Sequence, residues 1–183
     1  MALTFTPQDE FNKPTPQFIA RTIFGDSFDS EKIKASNPIV YAFICNHCPY
    51  VKAIEDRLIT LADDLKKIDI PFVAICSNDP KDNLEDSLEN LARRAKEKNY
   101  PFIYLHDENQ SLAKSFGAVC TPDFFVYNKN YILKYRGRLD DSWKDQNRVT
   151  SRELYKACND LLISDDISFK QTPSMGCNIK WKF

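Results

Sequence analysis

The sequence predicts an α/β fold in which a mixed β-sheet lies between two layers of helices. Apolar segments of strand length, free of charged residues, alternate with segments whose apolar residues recur every three or four positions. Two short strands joined by a tight turn then follow, and after them a last helix. This order predicts a three-layer sandwich whose sheet is parallel at first and has an antiparallel edge.

The N-terminal part contains the first strand and helix of the predicted core. Residues 1–37 mix prolines with short apolar pairs, which indicates an extension with one short strand or hairpin. Residues 38–44 contain no charged side chain and predict a strand covered on both faces. From Val51 to Leu65 the apolar spacing is that of an amphipathic helix, and Pro49 suits its first turn.

A second and a third strand-helix unit follow. Residues 72–76 predict a buried strand, and helical spacing resumes at Leu84, with acidic residues early and basic residues late. We interpret the charged residues of this run, Asp86 among them, as a solvated helix face. Residues 102–105 predict a third strand, and the short helix after it ends at Gly117.

The last elements are a hairpin, a helix and an extended tail. Residues 124–127 and 131–135 predict the two strands of the hairpin, and residues 151–163 predict the helix. At 183 residues the chain is long enough for one domain. We therefore expect a single domain over 1–183, with an N-terminal extension (1–37), a core (38–163) and a C-terminal tail (164–183).

Charge and hydropathy exclude several classes of partner. Lysine and arginine (25) almost balance aspartate and glutamate (26), so the chain lacks the basic field that attracts nucleic acid or an anionic membrane. No window has the roughly 18–20 apolar residues of a membrane helix, and the first ten residues lack the features of a signal peptide. We expect a cytoplasmic protein that binds neither nucleic acid nor membrane.

Six cysteines are too few and too scattered for a disulfide scaffold. Cys76 and Cys158 lie where a small apolar residue would, within a predicted strand and helix, and we interpret them as buried thiols. The other four cysteines are the candidates for chemistry: Cys45, Cys48, Cys120 and Cys177.

Cys45 and Cys48 are separated by two residues at the predicted junction of a strand and a helix. This spacing allows a disulfide, and the N–H groups of a helix start stabilise a nearby thiolate. We expect Cys45 to be the more exposed and more acidic thiol, which attacks a disulfide, and Cys48 to resolve the mixed disulfide. His47 can add positive charge or a hydrogen bond beside Cys45.

Two other interpretations of the cysteine pair stay open. Cys-X-X-Cys is also half of a structural zinc site, but the chain has no second pair, so we predict neither a metal nor another cofactor. The two thiols could also belong to a core without redox chemistry, in a non-enzymatic binding module.

Several motifs carry a family resemblance. The order of strand, Cys-X-X-Cys-Pro, helix and later Thr121-Pro122 before a hairpin resembles the thioredoxin fold over about residues 38–163. The chain more closely resembles peroxiredoxin-like bacterial redoxins of the alkyl-hydroperoxide-reductase/thiol-specific-antioxidant (AhpC/TSA) type. Four motifs carry this likeness: Cys45-Asn-His-Cys-Pro-Tyr-Val-Lys, Cys120-Thr-Pro-Asp-Phe-Phe, Tyr135-Arg-Gly-Arg-Leu-Asp-Asp and Gly176-Cys-Asn-Ile-Lys-Trp-Lys.

The resemblance implies further roles and one competing activity. It implies that the Thr121-Pro122 bond is cis and faces the cysteine pair, where the neighbouring backbone receives an extended substrate. It also allows a thiol peroxidase, or antioxidant, with Cys48 as the peroxidatic cysteine. In the peroxiredoxin pattern Pro-X-X-X-(Thr/Ser)-X-X-Cys, however, Cys45 and Tyr41 then replace two motif residues, and residues 118–123 lack the arginine that polarises the peroxide.

The sequence therefore favours a cytosolic thiol-disulfide oxidoreductase. Its expected partners are a disulfide-bearing protein or small-molecule disulfide and an unidentified electron donor. Apolar residues alternate with polar ones in the tail, so we also expect 173–183 to fold back on the domain. Cys120 and a docked Cys177 would then be possible accessory thiols near the pair.

Overall fold

A seven-stranded mixed sheet organises the chain. The computed structural model describes residues 3–8, 11–33 and 36–182. Within these ranges the strands are β1 (Leu3–Phe5), β2 (Ile19–Thr22), β3 (Ser27–Asp29), β4 (Ile39–Phe43), β5 (Phe72–Cys76), β6 (Ile103–His106), β7 (Cys120–Thr121), β8 (Asp123–Tyr127), β9 (Leu133–Gly137) and β10 (Met175–Asn178). The helices are α1 (Pro49–Lys67), α2 (Leu88–Glu97), α3 (Ser111–Phe116) and α4 (Glu153–Ile163).

The large sheet has the order β3-β2-β6-β5-β4-β8-β9. Strands β4, β5 and β6 are parallel, whereas β8 and β9 on one side and β2 and β3 on the other are antiparallel to their neighbours. The predicted mixed sheet, parallel at first with an antiparallel edge, is thus confirmed, and β2 and β3 add a second antiparallel edge. The hairpin β2–β3 shows that part of the N-terminal extension continues the sheet beside β6.

Alternate residues of β4 face two separate cores. Val40 and Ala42 lie in a cluster with apolar residues of α1, α2 and α4, such as Leu58. Tyr41 and Phe43 lie in the other cluster, with α3 and an edge-packed group of aromatic rings around Phe116. Because both faces of the strand are covered, a segment without charged residues is stable there. None of the helices in the described ranges combines the length and apolar composition that a membrane crossing requires.

Two element starts differ from the prediction. The segment from Leu84 to Asp86 is a 3₁₀ turn, and α2 begins only at Leu88, with Ser87 as its N-cap. In the hairpin, β9 begins at Leu133 because Tyr131 adopts a left-handed conformation (φ 61°) in the turn. The first difference matters for function, because it frees Asp86 from the helix.

The C-terminal tail docks on the domain, as predicted. Its strand β10 pairs with β1 on one side and with β7 on the other, in a second, three-stranded antiparallel sheet. Beyond β10, Ile179 is 1% exposed and belongs to the core on the α3 side of the large sheet. Phe183, the last residue of the predicted alternation, lies outside the described residues.

Replacing Ile179 with alanine is expected to lower the free energy of unfolding by about 2–5 kcal/mol, because it removes a buried side chain and leaves a cavity. Ile163→Ala is the matched control, since Ile163 is 88% exposed and its truncation should leave the melting temperature almost unchanged. Thermal unfolding of the two variants beside the wild type measures the difference. Equal melting temperatures would show that the tail is not held as described.

Candidate redox site

The sequence-predicted site residues meet at the start of α1. The chain leaves β4 at Phe43, passes through Cys45, Asn46 and His47, and enters α1 with Cys48 as N-cap and Pro49 in the first turn. Facing them is the junction of β7 and β8, where the Thr121-Pro122 bond is cis, as the resemblance implied. Cys45 and Cys48 are both reduced thiols.

Thr121 contacts both sulfurs of the pair. Its Oγ1 lies 3.3 Å from the Sγ of Cys45, and its carbonyl oxygen lies 3.0 Å from the Sγ of Cys48 and accepts the hydrogen bond of that thiol. The Nδ1 of His47 is 3.6 Å from the Sγ of Cys45. The structure thus brings together Cys45, His47, Cys48 and Thr121, with Pro122 next in the chain.

Asp86, which the sequence analysis placed on a solvated helix face, is fully buried in this site. Its carboxylate accepts hydrogen bonds from the backbone N–H groups of Asn46 (2.8 Å) and His47 (3.0 Å) and from the Nδ2 of Asn78 (2.9 Å). The other partner is His47, whose Nδ1 donates to Oδ2 across 2.5 Å. These partners lower the pKa of Asp86 although burial raises it. One carboxylate therefore fixes the Cys-X-X-Cys loop and the His47 ring.

The signal that could have placed Asp86 correctly is the helix N-cap. The Oγ of Ser87 accepts from the backbone N–H of Asn90, an N-cap contact that starts α2 after Asp86. A helix start at this serine leaves the preceding aspartate outside the helix and free to turn toward another element. Its partner in the fold lies 39 residues earlier, at His47, which local sequence patterns cannot show.

The structure does not show the expected difference in exposure between the two thiols. Neither is exposed: Cys45 is 1% and Cys48 0% accessible. Burial, the hydrogen bond with Cys48 and the charge of Asp86 raise the pKa of Cys45 well above its usual range. By contrast, the thiol of Cys45 and the backbone N–H groups of Cys177 and Val51 outweigh burial and lower the pKa of Cys48 to about 5.

The physical reason for this reversal is where α1 begins. Because Cys48 is the N-cap and Pro49 the next residue, the backbone N–H of Val51 in the first turn interacts with the sulfur of Cys48. Asp86 adds negative charge beside Cys45. These contacts favour the thiolate on Cys48 and the proton on Cys45, and in that state Cys48 no longer donates to the carbonyl oxygen of Thr121.

The thiolate absorbance of the reduced protein is expected to fall as the pH drops through about 5, the pKa of Cys48. Since the thiol of Cys45 makes the largest contribution to this low pKa, Cys45→Ala should move the transition to higher pH. Ultraviolet absorbance titration of the wild type, Cys45→Ala and Cys48→Ala tests the assignment. A low-pH transition that persists in Cys48→Ala and disappears in Cys45→Ala would show that the low pKa belongs to Cys45.

The two possible accessory thiols differ in their contacts. Cys120 is buried, its sulfur lies 3.7 Å from the carbonyl oxygen of Pro122, and burial raises its pKa. Cys177 lies opposite Thr121 in the β10–β7 pairing. Burial and a hydrogen bond with Cys48 raise the pKa of Cys177 to about 11. Cys177 is thus in direct contact with the pair.

Cys45, His47 and Asp86 are close enough for their ligand atoms to approach one metal ion, all lying within 4.8 Å of one another. The same atoms already satisfy one another, because the Nδ1 of His47 and the carboxylate of Asp86 form a hydrogen bond. Asp86 also accepts two backbone N–H groups on its other oxygen, Oδ1. The side chains of these three residues therefore belong to the hydrogen-bonding network of the Cys-X-X-Cys loop.

A mainly apolar cavity of about 170 Å³ lies next to the start of α1. Its lining includes Tyr50, Pro122, Trp143 and Met175, and the rings of Tyr50 and Trp143 are in contact at 4.5 Å between centroids. Tyr50 is two residues after Cys48, so the cavity borders the pair. Neither cysteine of the pair lines it.

Arg136, the arginine of β9, interacts with the carboxylate of Asp123. Its NH2 group donates to Oδ2 of Asp123 across 2.9 Å and to the carbonyl oxygen of Gly117 across 2.7 Å, and both charged side chains are buried. The guanidinium also lies over the ring of Phe125, 4.5 Å from its centroid. Its charge is thus balanced by the residue that follows Pro122.

A cysteine pair at a helix start, facing a cis-proline beside a central mixed sheet, defines a thiol-based redox protein of the thioredoxin fold. The chain belongs to the AhpC/TSA family, whose model matches residues 11–140. This membership confirms the resemblance seen in the sequence. A search of curated proteins found no match.

Solved structures agree with this fold. The chain is similar to an uncharacterized conserved protein from Geobacillus kaustophilus, with 39% identity and a TM-score of 0.93 over 100% of this chain and 97% of that one. A hypothetical protein from Sinorhizobium meliloti 1021 has 36% identity and a TM-score of 0.92, over 98% of each chain. A secreted disulfide oxidoreductase from Mycobacterium tuberculosis shares the fold at 21% identity and a TM-score of 0.55, over 64% of this chain and 81% of that one.

Proposed function

We propose that this protein is a thiol-disulfide oxidoreductase that cycles Cys45 and Cys48 between dithiol and disulfide. The observation that carries the proposal is the contact of both sulfurs with Thr121, which holds the two thiols against the start of α1. A low-pKa sulfur beside a protonated neighbour is the arrangement that thiol exchange requires. The oxidoreductase from Mycobacterium tuberculosis, which shares the fold, is consistent with this reaction.

In this proposal Cys48 attacks and Cys45 resolves, which reverses the roles expected from the sequence. The thiolate of Cys48 attacks one sulfur of the substrate disulfide, and the first substrate thiolate leaves and takes up a proton. Cys45 then loses its proton and attacks the sulfur of Cys48, which releases the second substrate thiolate. The substrate disulfide is reduced to two thiols, and Cys45 and Cys48 are oxidised to a disulfide.

The pair of Asp86 and His47 gives Cys45 a proton acceptor. Nδ1 of His47 lies 3.6 Å from the Sγ of Cys45 and is hydrogen-bonded to Asp86. The Nε2 of the same ring is buried without a hydrogen-bond partner in the described part of the chain. Because Nδ1 carries the proton that it donates to Asp86, it can accept the proton of Cys45 only as its own proton passes to the carboxylate of Asp86.

The substrate in this proposal is a disulfide-bearing protein or a small-molecule disulfide with an apolar group. The cavity lined by Tyr50, Pro122 and Trp143 would take that apolar group beside Cys48. The role that the resemblance implied for Thr121, pairing with an extended substrate, conflicts with β10, which occupies that edge. Substrate pairing at Thr121 would therefore require β10 to separate. An electron donor, still to be identified, would return the pair to the dithiol.

A thiol peroxidase is the second candidate, and the low pKa of Cys48 favours it. In that reaction Cys48 would be oxidised by peroxide to a sulfenic acid, and Cys45 would condense with it to form the disulfide and water. The ion pair of Arg136 with Asp123 counts against it, because the guanidinium is already engaged by that carboxylate.

A side-by-side assay of disulfide reduction and peroxide consumption tests both candidates. We expect the wild type to reduce a model disulfide faster than peroxide, and Cys45→Ser and Cys48→Ser each to lose dithiol-dependent turnover. Cys158→Ala is the matched control, because Cys158 is a core thiol whose pKa burial alone perturbs. Peroxide consumption that exceeds disulfide reduction and depends on Cys48 would show that the peroxidase is the correct function and the disulfide oxidoreductase is not. Loss of neither activity in the two serine variants would exclude both.

A further inference from the structure

The sulfur of Cys48 interacts with two other thiols, those of Cys45 and Cys177. It shares one hydrogen bond with Cys45 and another with Cys177. The backbone N–H of Cys177 also stabilises the thiolate of Cys48. The described site therefore contains three interacting thiols, and Cys48 is the one whose pKa is lowered.

Three backbone contacts place Cys177 at this position. In the β10–β7 pairing the Cα of Cys177 is opposite that of Thr121, whose carbonyl oxygen is 3.0 Å from the Sγ of Cys48. Before it in β10, Gly176 packs so closely that a Cβ there would lie 1.9 Å from the carbonyl oxygen of Thr121. On its other side β10 is paired with β1, where Cys177 is opposite Leu3. A strand paired on both edges holds the thiol beside Cys48.

We propose that Cys177 is a third redox-active cysteine, which forms a disulfide with Cys48 by exchange with the Cys45–Cys48 disulfide. The inference rests on the dithiol-disulfide cycle proposed above. Cys177 differs from a packing thiol such as Cys158, because its sulfur interacts with the thiolate of the pair.

The exchange needs no further oxidant or reductant. Cys177 loses its proton, and its thiolate attacks the sulfur of Cys48. The bond between Cys45 and Cys48 breaks as the bond between Cys48 and Cys177 forms, and Cys45 leaves as a thiolate that takes up a proton. One disulfide and one thiol are present before and after the step. The result joins the tail covalently to the start of α1.

Oxidised glutathione with the full-length Cys45→Ser variant provides the main test. Cys48 should first take up glutathione, and Cys177 should then displace it, so that the product is a Cys48–Cys177 disulfide without bound glutathione. Intact mass and peptide mapping without reduction identify the bond. The matched double variant Cys45→Ser/Cys177→Ser should instead keep glutathione on Cys48.

Two results would overturn the proposal. One is a Cys45→Ser protein that keeps glutathione on Cys48 while Cys177 remains open to alkylation after denaturation. The other is displacement by Cys120, which would be seen if Cys45→Ser/Cys120→Ser, but not Cys45→Ser/Cys177→Ser, kept glutathione.

An experiment on the wild type separates this inference from the proposed function, and its result does not depend on how the variants fold. In a glutathione redox buffer we expect both the Cys45–Cys48 and the Cys48–Cys177 disulfides among the oxidised peptides. A protein that reduces disulfides and forms only the Cys45–Cys48 bond would exclude Cys177 and leave the oxidoreductase standing. A protein that forms the Cys48–Cys177 bond but does not reduce disulfides would support the role of Cys177 and exclude the oxidoreductase.

Discussion

Asp86→Ala is expected to lower the free energy of unfolding by about 3–5 kcal/mol, because it leaves the buried partners of the carboxylate without an acceptor. Those partners are the backbone N–H groups of Asn46 and His47 and the side chains of His47 and Asn78. The Cys-X-X-Cys loop would lose the contacts that hold it. Dithiol-dependent activity should fall together with stability. Chemical denaturation and the disulfide-reduction assay measure the two effects.

The adjacent carboxylate provides the control for Asp86. Glu85 is exposed and forms a surface ion pair with Lys52, so Glu85→Ala should cost no more than about 1 kcal/mol. The pH dependence gives a second check. Since the folded-state pKa of Asp86 is lowered, its contribution to stability is present above the unfolded-state pKa of about 3.9 and is lost as the pH falls through the folded-state value. A cost for Asp86→Ala as small as that for Glu85→Ala would contradict the described role.

Gly176→Ala is expected to loosen β10 from the cysteine pair. The added Cβ would meet the carbonyl oxygen of Thr121 at 1.9 Å and its carbonyl carbon at 2.5 Å, and both atoms belong to backbone. Relieving such a contact costs about 1–3 kcal/mol or more. If the strain is relieved by separation of β10 and β7, Cys48 becomes reachable about 5- to 150-fold more often, at 1.4 kcal/mol for each factor of ten. Alkylation of Cys48 under native conditions measures this change.

Gly25→Ala serves as the control for Gly176→Ala. Gly25 has a positive φ of 95° in the β2–β3 turn, with no atom within 4 Å of an added Cβ, so alanine there strains the backbone without touching the site. It should lower stability and leave the alkylation rate of Cys48 unchanged. If both variants accelerate alkylation equally, access to Cys48 follows global stability and not the position of β10.

Local sequence patterns predicted the central sheet and the site because both depend on neighbouring residues. The charge-free segment at 39–43 is buried on both faces as expected, and the cysteine spacing placed the pair at a helix start. The contacts of the two thiols favour the opposite order of acidity from the one expected, and Pro49 carried part of the information. Proline is favoured at the first helical position, which makes Cys48 the N-cap and brings the backbone N–H of Val51 to its sulfur.

The remaining errors concern contacts between residues far apart in the sequence. The burial of Asp86 depends on hydrogen bonds to the loop at Asn46 and His47, 40 and 39 residues earlier. The tail was expected to dock, but the register that sets Cys177 opposite Thr121 is fixed by the glycine contact at 176. Such partners cannot be read from periodicity, because charge and spacing alone do not tell which surface a segment will meet.

The three-stranded sheet of β1, β10 and β7 makes the reactivity of Cys48 a measure of local unfolding. Because this sulfur is fully buried, a large reagent can reach it only in molecules whose terminal strands have separated. When the strands pair again much faster than the reagent reacts, the equilibrium constant for opening can be measured. It equals the alkylation rate of Cys48 divided by the alkylation rate of an unprotected thiolate. Backbone amides of residues 175–178 should exchange hydrogen with deuterium through the same opening, with the same free energy. The rate at which the protein accepts bulky substrates would then be set by the energy of this small sheet, and mutations far from the sulfurs could tune it.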